Sequence, residues 1–160
     1  MSVRLPVMAV LLVLAGCVSD PMPEGYSGPR ANIEDSYSPR SGDGANFFFV
    51  AQVNGKDVYN ALRRTIDVNN GNGFSLRPVV YARDLPAGPA TLTIEGQSHY
   101  AAPIIALFSH NDDISGVVHV TLEAGHNYRV LGEMDGEHCA VWIEEAETGA
   151  PLGDRIEGKC

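Results

Sequence analysis

Apolar and polar residues alternate along much of this chain with a period of two, the period of a β-strand that buries one face. Residues 90–95 alternate clearly, and residues 46–53 are rich in aromatic and β-branched side chains. Further strands are predicted at residues 74–83, 100–108, 117–122, 128–132 and 139–144. Turn-forming residues recur at short intervals between them, which is typical of sandwiches and barrels. The sequence therefore predicts an all-β fold, and we expect a single antiparallel β-sandwich.

Local signals refine this pattern. Asn54 and Gly55 follow a predicted strand directly and indicate a type I′ hairpin. Pro78 favours an edge or a bulge in its segment. Helical periodicity is scarce, and its best candidate, residues 58–66, is equally compatible with a strand.

The N-terminus has a different pattern. Arg4 precedes the apolar segment 5–14, which is too short to cross a bilayer, since a span needs roughly 20 apolar residues. Leu14, Ala15, Gly16 and Cys17 follow. Together they resemble the signal peptide and lipobox of bacterial lipoprotein precursors.

That resemblance implies cleavage between Gly16 and Cys17, and a diacylglyceryl group on the Cys17 thiol. The new amino group of Cys17 is then a second acylation site, and two or more chains hold a protein stably on a membrane. Val18 in the next position favours the outer membrane by analogy with enterobacterial sorting. The alternative is an ordinary secreted protein in which Cys17 is unmodified.

The expected organisation has three parts. Residues 1–16 form the signal peptide, and residues 17–45 form a lipidated, flexible tether because they are rich in Pro, Gly, Ser and charge without an apolar period. Residues 46–160 form one β-sandwich domain, with enough chain for a sizeable core.

Charge narrows the choice of partners. The chain has 11 Lys and Arg against 20 Asp and Glu, a net charge of −9, and loss of residues 1–16 removes Arg4 and makes it −10. Phosphates repel such a chain, so a nucleic-acid partner is not expected. Anionic headgroups repel it as well, so the acyl chains must supply the membrane attachment. Cationic partners would be attracted.

Two cysteines remain once Cys17 is lipidated. Cys139 and Cys160 are an even pair in an oxidising compartment, and a disulfide between them is expected, with two free thiols as the alternative. The bond would close a loop of about 22 residues and contribute roughly 3 kcal/mol in the chain-entropy account.

A second resemblance concerns the domain. Residues 84–88, Asp-Leu-Pro-Ala-Gly, are followed by an alternating strand and resemble the turn of PEGA-type and related small β-sandwich modules. Residues 121–130 are similar to a turn and strand in envelope lipoproteins of bacteria. These resemblances imply a transthyretin-like or immunoglobulin-like sandwich at the cell envelope, and they bring no catalytic residues with them.

No motif names a reaction. The five histidines form neither HxxxH nor HExxH, and although His119 and His126 are expected near one hairpin, zinc needs three or four ligands. Ser109 and His110 are adjacent, but there is no GxSxG elbow. We therefore expect no metal, no cofactor and no enzymatic activity.

Three further residues are candidates for binding. Trp142 lies in a predicted strand and is expected to be buried in the hydrophobic core, with an aromatic side chain of a binding site as the alternative. Arg63 and Arg64 are the only basic pair, able to hold a carboxylate or phosphate, although a solvated loop is the simpler interpretation.

Residues 47–49 are all Phe, so at least one ring must point away from the face that buries the others.

The sequence thus favours a membrane-anchored lipoprotein of the bacterial envelope that acts as a non-enzymatic accessory or protein-interaction module. Its expected partners are the bilayer, through acylated Cys17, and an envelope protein. Its domain would lie in the periplasm or at the cell surface. The alternative is a periplasmic domain that binds a small molecule or glycan.

Overall fold

The computed structural model describes residues 18–40, 44–71, 73–102 and 112–160. The predicted signal peptide, the lipobox and most of the predicted strand at 100–108 lie outside these ranges. The described residues form nine strands and one helix: β1 (Arg30–Arg40), β2 (Gly44–Val53), β3 (Lys56–Asp57), α1 (Ala61–Asn69), β4 (Tyr81–Pro86), β5 (Gly88–Tyr100), β6 (Asp113–Leu122), β7 (Asn127–Met134), β8 (His138–Glu145) and β9 (Ile156–Lys159).

All nine strands belong to one sheet in the order β6-β5-β2-β1-β7-β8-β9, with β3 paired to β2 and β4 paired to β1. The β1–β7 pair is parallel, and the other pairs are antiparallel. The two end strands approach each other, since a Cβ on Gly116 of β6 would stand 2.7 Å from the side chain of Ile156 in β9. The all-β prediction is confirmed, but the strands form one nearly closed, barrel-like sheet where a sandwich of two sheets was expected.

Strand β1 corrects the predicted tether. Residues 30–40, expected to be flexible, lie in the middle of the sheet, between β2 and β4 on one side and β7 on the other. Ala31, Ile33 and Asp35 point inward and are buried. The apolar alternation of this strand consists of only two side chains followed by an acid, which is why its sequence resembles a polar linker.

The buried side chains form two clusters, one on each face of β2. Phe48 belongs to the larger cluster inside the barrel. Phe47 and Phe49 point to the other face, where they pack with Ala61 and Leu62 of α1. The prediction that one of the three rings must point away from the others is confirmed, and all three are buried because α1 covers the outer face.

The helix begins and ends close to the predicted candidate. Asn60 is its N-cap, and the Asn60 side chain accepts a hydrogen bond from the Arg63 amide at 3.0 Å. Thr65 is buried against the loop that follows the helix, and its Oγ1 accepts from the Val79 amide at 3.1 Å. Residues 61–66 of the candidate are helical, while Val58 makes an isolated bridge to Ser19.

The strongest strand predictions are confirmed, at residues 46–53, 90–95, 117–122, 128–132 and 139–144. Asn54 and Gly55 have φ values of 51° and 76°, as a type I′ turn requires, and they connect β2 to β3. The prediction at 74–83 is wrong for residues 74–80, which are irregular; β4 begins at Tyr81.

Cys139 and Cys160 are joined by a disulfide with a Cα–Cα distance of 5.0 Å. The bond fixes the last residue of the chain to β8, beside the short strand β9. The Cys139 side of the bond is fully buried in the barrel interior.

Candidate functional site

A pocket of about 500 Å³ opens where the first described residues cross the domain. We call it the N-terminal pocket. Its walls come from the N-terminal segment, from the first residue of β1, from Tyr59 just before α1 and from β4. The lining residues are Val18, Ser19, Asp20, Pro21, Met22, Arg30, Tyr59, Tyr81, Arg83 and Asp84.

The N-terminal segment is part of the fold at this point. The Ser19 amide donates to the Asp57 carbonyl at 2.8 Å, and Ser19 forms a parallel bridge with Val58. Asp20 Oδ1 accepts from the Met22 amide at 2.9 Å, which turns the chain back over the pocket. Ser19 is therefore attached to the domain, so the flexible tether predicted for residues 17–45 is corrected here too.

Two tyrosines form one wall. The rings of Tyr59 and Tyr81 meet edge to face, with centroids 5.2 Å apart and planes at 77°. The Tyr59 hydroxyl donates to the Asp67 carboxylate of α1. This hydrogen bond to Asp67 raises the pKa of Tyr59, so the phenol stays a donor.

Arg83 reaches the pocket from the interior of the sheet. Its guanidinium lies over the Tyr81 ring, 5.2 Å from the centroid, and its side chain is only 4% exposed. Nη1 donates to the Val50 carbonyl at 3.1 Å, and Nη2 pairs with the Asp35 carboxylate. Nε has no hydrogen-bond partner among the described residues.

The Asp35–Arg83 pair fills a gap in the sheet. β2 follows β1 only as far as the Phe48–Ser36 pair, and β4 then takes its place beside β1. The amide and carbonyl of Val50 are bound by Asp35 Oδ1, at 3.1 Å, and by Arg83. The pair thereby satisfies backbone groups that would otherwise be buried without partners.

Asp35 also holds α1 in place. Its second oxygen accepts from the Ala61 amide at 2.9 Å, in the first turn of the helix. Burial raises the pKa of Asp35 to about 6, against the opposing attraction of Arg83 and the hydrogen bonds from Val50 and Ala61. One carboxylate therefore links β1, β2, β4 and α1 beneath the pocket.

The chemistry of this pocket suits binding. Arg30 and Arg83 supply guanidinium groups for an anionic or strongly polar group, and the tyrosine rings supply a flat apolar wall. Arg30 is half exposed and lies 3.7 Å from Asp84 at the rim. None of the described lining residues is a histidine or a cysteine, so the pocket has no base and nucleophile pair of the Ser-His or Cys-His kind.

The predicted binding residues lie elsewhere. Trp142 is partly buried on the outer face of β8 under Arg155, whose guanidinium carbon is 3.8 Å from the ring centroid. The core interpretation of Trp142 is wrong, because alternation along β8 turns its neighbours Val141 and Ile143 inward. Trp142 does not line the N-terminal pocket.

Arg63 and Arg64 are exposed on α1, not in a loop. Arg63 lines a groove of about 190 Å³ between α1 and the sheet, together with Glu95. Burial raises the pKa of Glu95, and the nearby charge of Arg63 lowers it slightly. The two arginines are not part of the N-terminal pocket.

The histidines within the described ranges are not grouped into a metal site. His119 lies 3.1 Å from the Thr91 hydroxyl, whereas His126 lies 2.5 Å from Glu145 and 3.4 Å from Glu123. Across the described ranges, no three His, Cys, Asp or Glu side chains are grouped to hold a metal. His110 and Ser109 lie outside the described residues. In the part of the chain that is described, no helix has the length and apolar character needed to cross a membrane.

Sequence reasoning missed Asp35, Arg83, Tyr59 and Tyr81. One signal was available: Asp35 continues the inward positions of Ala31 and Ile33, and an acid at a core position calls for a buried partner. The identity of that partner follows only from the pairing of β4 with β1.

Comparison of the chain with protein-family models, with curated proteins and with solved structures found no match.

Proposed function

We propose that this protein is a lipid-anchored component of the bacterial envelope that acts, without catalysis, as an accessory or protein-interaction module. The acyl chains on Cys17 anchor the protein in the outer membrane rather than in the inner membrane. Its domain lies in the periplasm or at the cell surface and binds an envelope protein. We propose that its domain is related to PEGA-type modules and to transthyretin-like or immunoglobulin-like sandwiches.

The attachment of Ser19 to the domain supports this proposal. The hydrogen bond from the Ser19 amide to the Asp57 carbonyl, and the β-bridge from Ser19 to Val58, leave only Val18 between Cys17 and the first anchored residue. An acyl group on Cys17 would hold the domain itself at the membrane surface, in a restricted orientation. A module that presents one surface to neighbouring proteins benefits from that restriction, because less orientational freedom is lost on binding.

Charge supports a protein partner. Asp135 and Glu137 lie in the turn between β7 and β8, and Glu133 lies near the end of β7, where it pairs with Arg155 at 3.0 Å; all three are exposed. The amides of Glu137 and His138 donate to Asp135 Oδ1 at 3.0 and 2.7 Å, and these bonds lower the pKa of Asp135. This fixed acidic turn suits a basic surface on the partner.

The test is crosslinking in intact cells that express the full chain, with Cys17→Ser as the control. We expect the wild-type protein in the membrane fraction, an intact mass that shows acylated Cys17, and one dominant crosslinked envelope protein. Replacement of Glu137 by Gln should reduce that crosslink while leaving the fold, the lipidation of Cys17 and the membrane fraction unchanged. An unmodified Cys17, or the same crosslinks for wild type and control, would contradict the proposal.

A second function is favoured by the N-terminal pocket. The buried Arg83 guanidinium, with its unpartnered Nε, and the wall of Tyr59 and Tyr81 suit a small anionic molecule or an acidic glycan. Native mass spectrometry of the purified protein would detect a retained ligand. Loss of that ligand in Arg30→Ala, with retention in Arg129→Ala on the far side of β1, would support ligand binding over the protein-interaction role.

A further inference from the structure

Exposed apolar side chains are concentrated on α1 and the segment that follows it. Of the seven large apolar residues that are exposed in the described chain, four lie there: Ile66 is 45% exposed, Val68 50%, Phe74 67% and Val80 48%. We call α1 together with residues 70, 71 and 73–80 the helix–loop surface. Such a concentration on a small domain marks a contact surface.

The segment is fixed to the helix, so its apolar residues are held in place. The Asn69 side chain donates to the carbonyls of Thr65 and Arg77, at 2.8 and 2.9 Å, and accepts from the Arg77 amide at 2.9 Å. The Val79 amide donates to Thr65 Oγ1. Phe74 is therefore followed closely by two residues, Arg77 and Val79, that are hydrogen-bonded to the helix.

This surface adjoins the start of the folded chain. Tyr59, which lines the N-terminal pocket with Val18, donates its hydroxyl to Asp67 of α1. Tyr81, on the same wall, directly follows Val80. Val18 itself is 40% exposed. Val18, the residue that follows Cys17 in the sequence, thus lies next to the helix–loop surface.

The helix–loop surface also carries three arginines that make no ion pair with the described residues. Arg63, Arg64 and Arg77 make no ion pair within 4.0 Å among the described residues, although the protein as a whole is acidic. Arginines beside exposed apolar side chains are typical of surfaces that lie in a bilayer interface, where guanidinium groups meet phosphates and apolar groups reach the acyl boundary.

We propose that the helix–loop surface lies on the bilayer into which the Cys17 anchor inserts, with Phe74 and Val80 in the interface and Arg63 and Arg64 at the lipid phosphates. This inference rests on the proposed function, since the anchor brings the surface to the membrane. It gives the domain one orientation, with α1 down. The other occupants of such a surface, a protein or a second copy of this chain, are outcomes that the test separates.

The test uses the full chain, attached through the Cys17 thiol to vesicles of phosphatidylethanolamine and phosphatidylglycerol that contain a maleimide lipid. Cys17 is the thiol outside the Cys139–Cys160 disulfide. This chemical attachment makes the result independent of lipidation in cells, so a failure of the surface and a failure of the proposed function are distinguishable. The intact mass of cell-derived protein tests the latter.

The readout is quenching of an indole by brominated acyl chains. In a Trp142→Phe background, the Phe74→Trp and Val117→Trp variants are compared; Val117 is 56% exposed on β6 and is the matched control. We expect at least about twofold quenching for Phe74→Trp and none for Val117→Trp, since only interfacial groups reach the brominated carbons. Quenching at both positions or at neither overturns the proposal.

A measurement on the unsubstituted domain removes the dependence on these variants. Vesicle attachment should slow amide hydrogen exchange in residues 70–80 and leave residues 135–137, the β7–β8 turn, unchanged. Slowing of residues 70–80 that rises with protein density on the vesicles and vanishes at low density indicates a second copy, and overturns the membrane assignment.

Discussion

The buried carboxylate of Asp35 makes a quantitative prediction possible. Asp35→Asn keeps the shape of the side chain but removes the charge opposite Arg83 and one of two acceptor oxygens. In the unsubstituted protein, the two oxygens of Asp35 accept hydrogen bonds from three donors, on Val50, Ala61 and Arg83. The amide nitrogen of the Asn side chain cannot accept a hydrogen bond, so one of these buried donors loses its partner at a cost of about 1–3 kcal/mol, and the free energy of unfolding at pH 7 should fall by about that amount.

The matched control is Asp84→Asn. Asp84 lies on β4 next to Arg83, but its partner Arg30 is 3.7 Å away and both side chains are about half exposed. An exposed pair of this kind contributes at most about 1 kcal/mol. The same chemical change should therefore have a small effect one residue away from the buried pair.

The pH dependence tests the physical cause. Burial raises the pKa of Asp35 from 3.8 to about 6 in the folded state, so the folded chain binds this proton more tightly than the unfolded chain. The resulting stability is fully present below pH 3.8 and is lost as the pH rises through 6. A shift of about two units corresponds to about 3 kcal/mol. The stability difference between wild type and Asp35→Asn should therefore widen between pH 7 and pH 4 by up to that amount.

The assay is urea unfolding at a series of pH values, followed by the fluorescence of Trp142, the single tryptophan. Asparagine does not titrate, so the other carboxylates cancel in the difference between the two proteins. A difference that narrows on acidification would refute the reasoning, because it would mean that attraction to Arg83 outweighs the cost of burial. An equal loss in Asp84→Asn would show that the effect does not come from the buried pair.

Three other predictions follow from the packing. Gly132→Ala should lower the free energy of unfolding by about 1–3 kcal/mol or more, because the new Cβ would stand 2.6 Å from a carbonyl oxygen of β8. Gly158→Ala is the control and should be tolerated, because its Cβ would lie 3.8 Å from the nearest neighbouring atom. Thermal melts compare the two variants. Cys160→Ala should lower stability by roughly 3 kcal/mol, and a reductant should then have no further effect on the melting temperature. Arg155→Ala should red-shift Trp142 emission as water reaches the ring, with a loss of about 0.5–1 kcal/mol; an unchanged spectrum would contradict the stacking.

Local pattern predicted the strands whose inner face is apolar throughout. In β5, Leu92 and Ile94 are fully buried, and in β6 Val118 and Leu122 are nearly so, each separated by polar residues. The hairpin at Asn54 and Gly55 was equally readable because its turn needs positive φ at both positions. Such elements are encoded by neighbouring residues alone.

The remainder depends on contacts between distant segments. The prediction failed at β1 because its inward positions end in Asp35, which is stable there only with Arg83 opposite. Closure of the sheet depends on the approach of β6 to β9, and no periodicity within either strand indicates it. Trp142 was misplaced for a related reason: its apolar neighbours suggested a core, but the outer face of β8 offers Arg155 as cover.

The candidate site shows the same division. The basic pair of Arg63 and Arg64 could be recognised in the sequence. Its position on a helix that is followed by the exposed Phe74 could not be predicted from the sequence. The N-terminal pocket joins residues from both ends of a segment of more than sixty positions, from Val18 to Asp84. No spacing rule connects those residues.

The central position of β1 has a consequence for the order in which the chain can fold. β1 is the first strand made, yet its parallel neighbour is β7, through the pairs of residues 32–34 with 127–129. A parallel pair between such distant segments forms slowly, because the intervening chain must first be closed into a loop. During vectorial synthesis, the edge of β1 that faces β7 therefore stays unpaired until residues 127–129 have emerged, although β2 and β4 can already pair with β1. A chaperone that binds unpaired strand edges would find that edge open throughout the interval, and a protein stalled before residue 127 would keep it open.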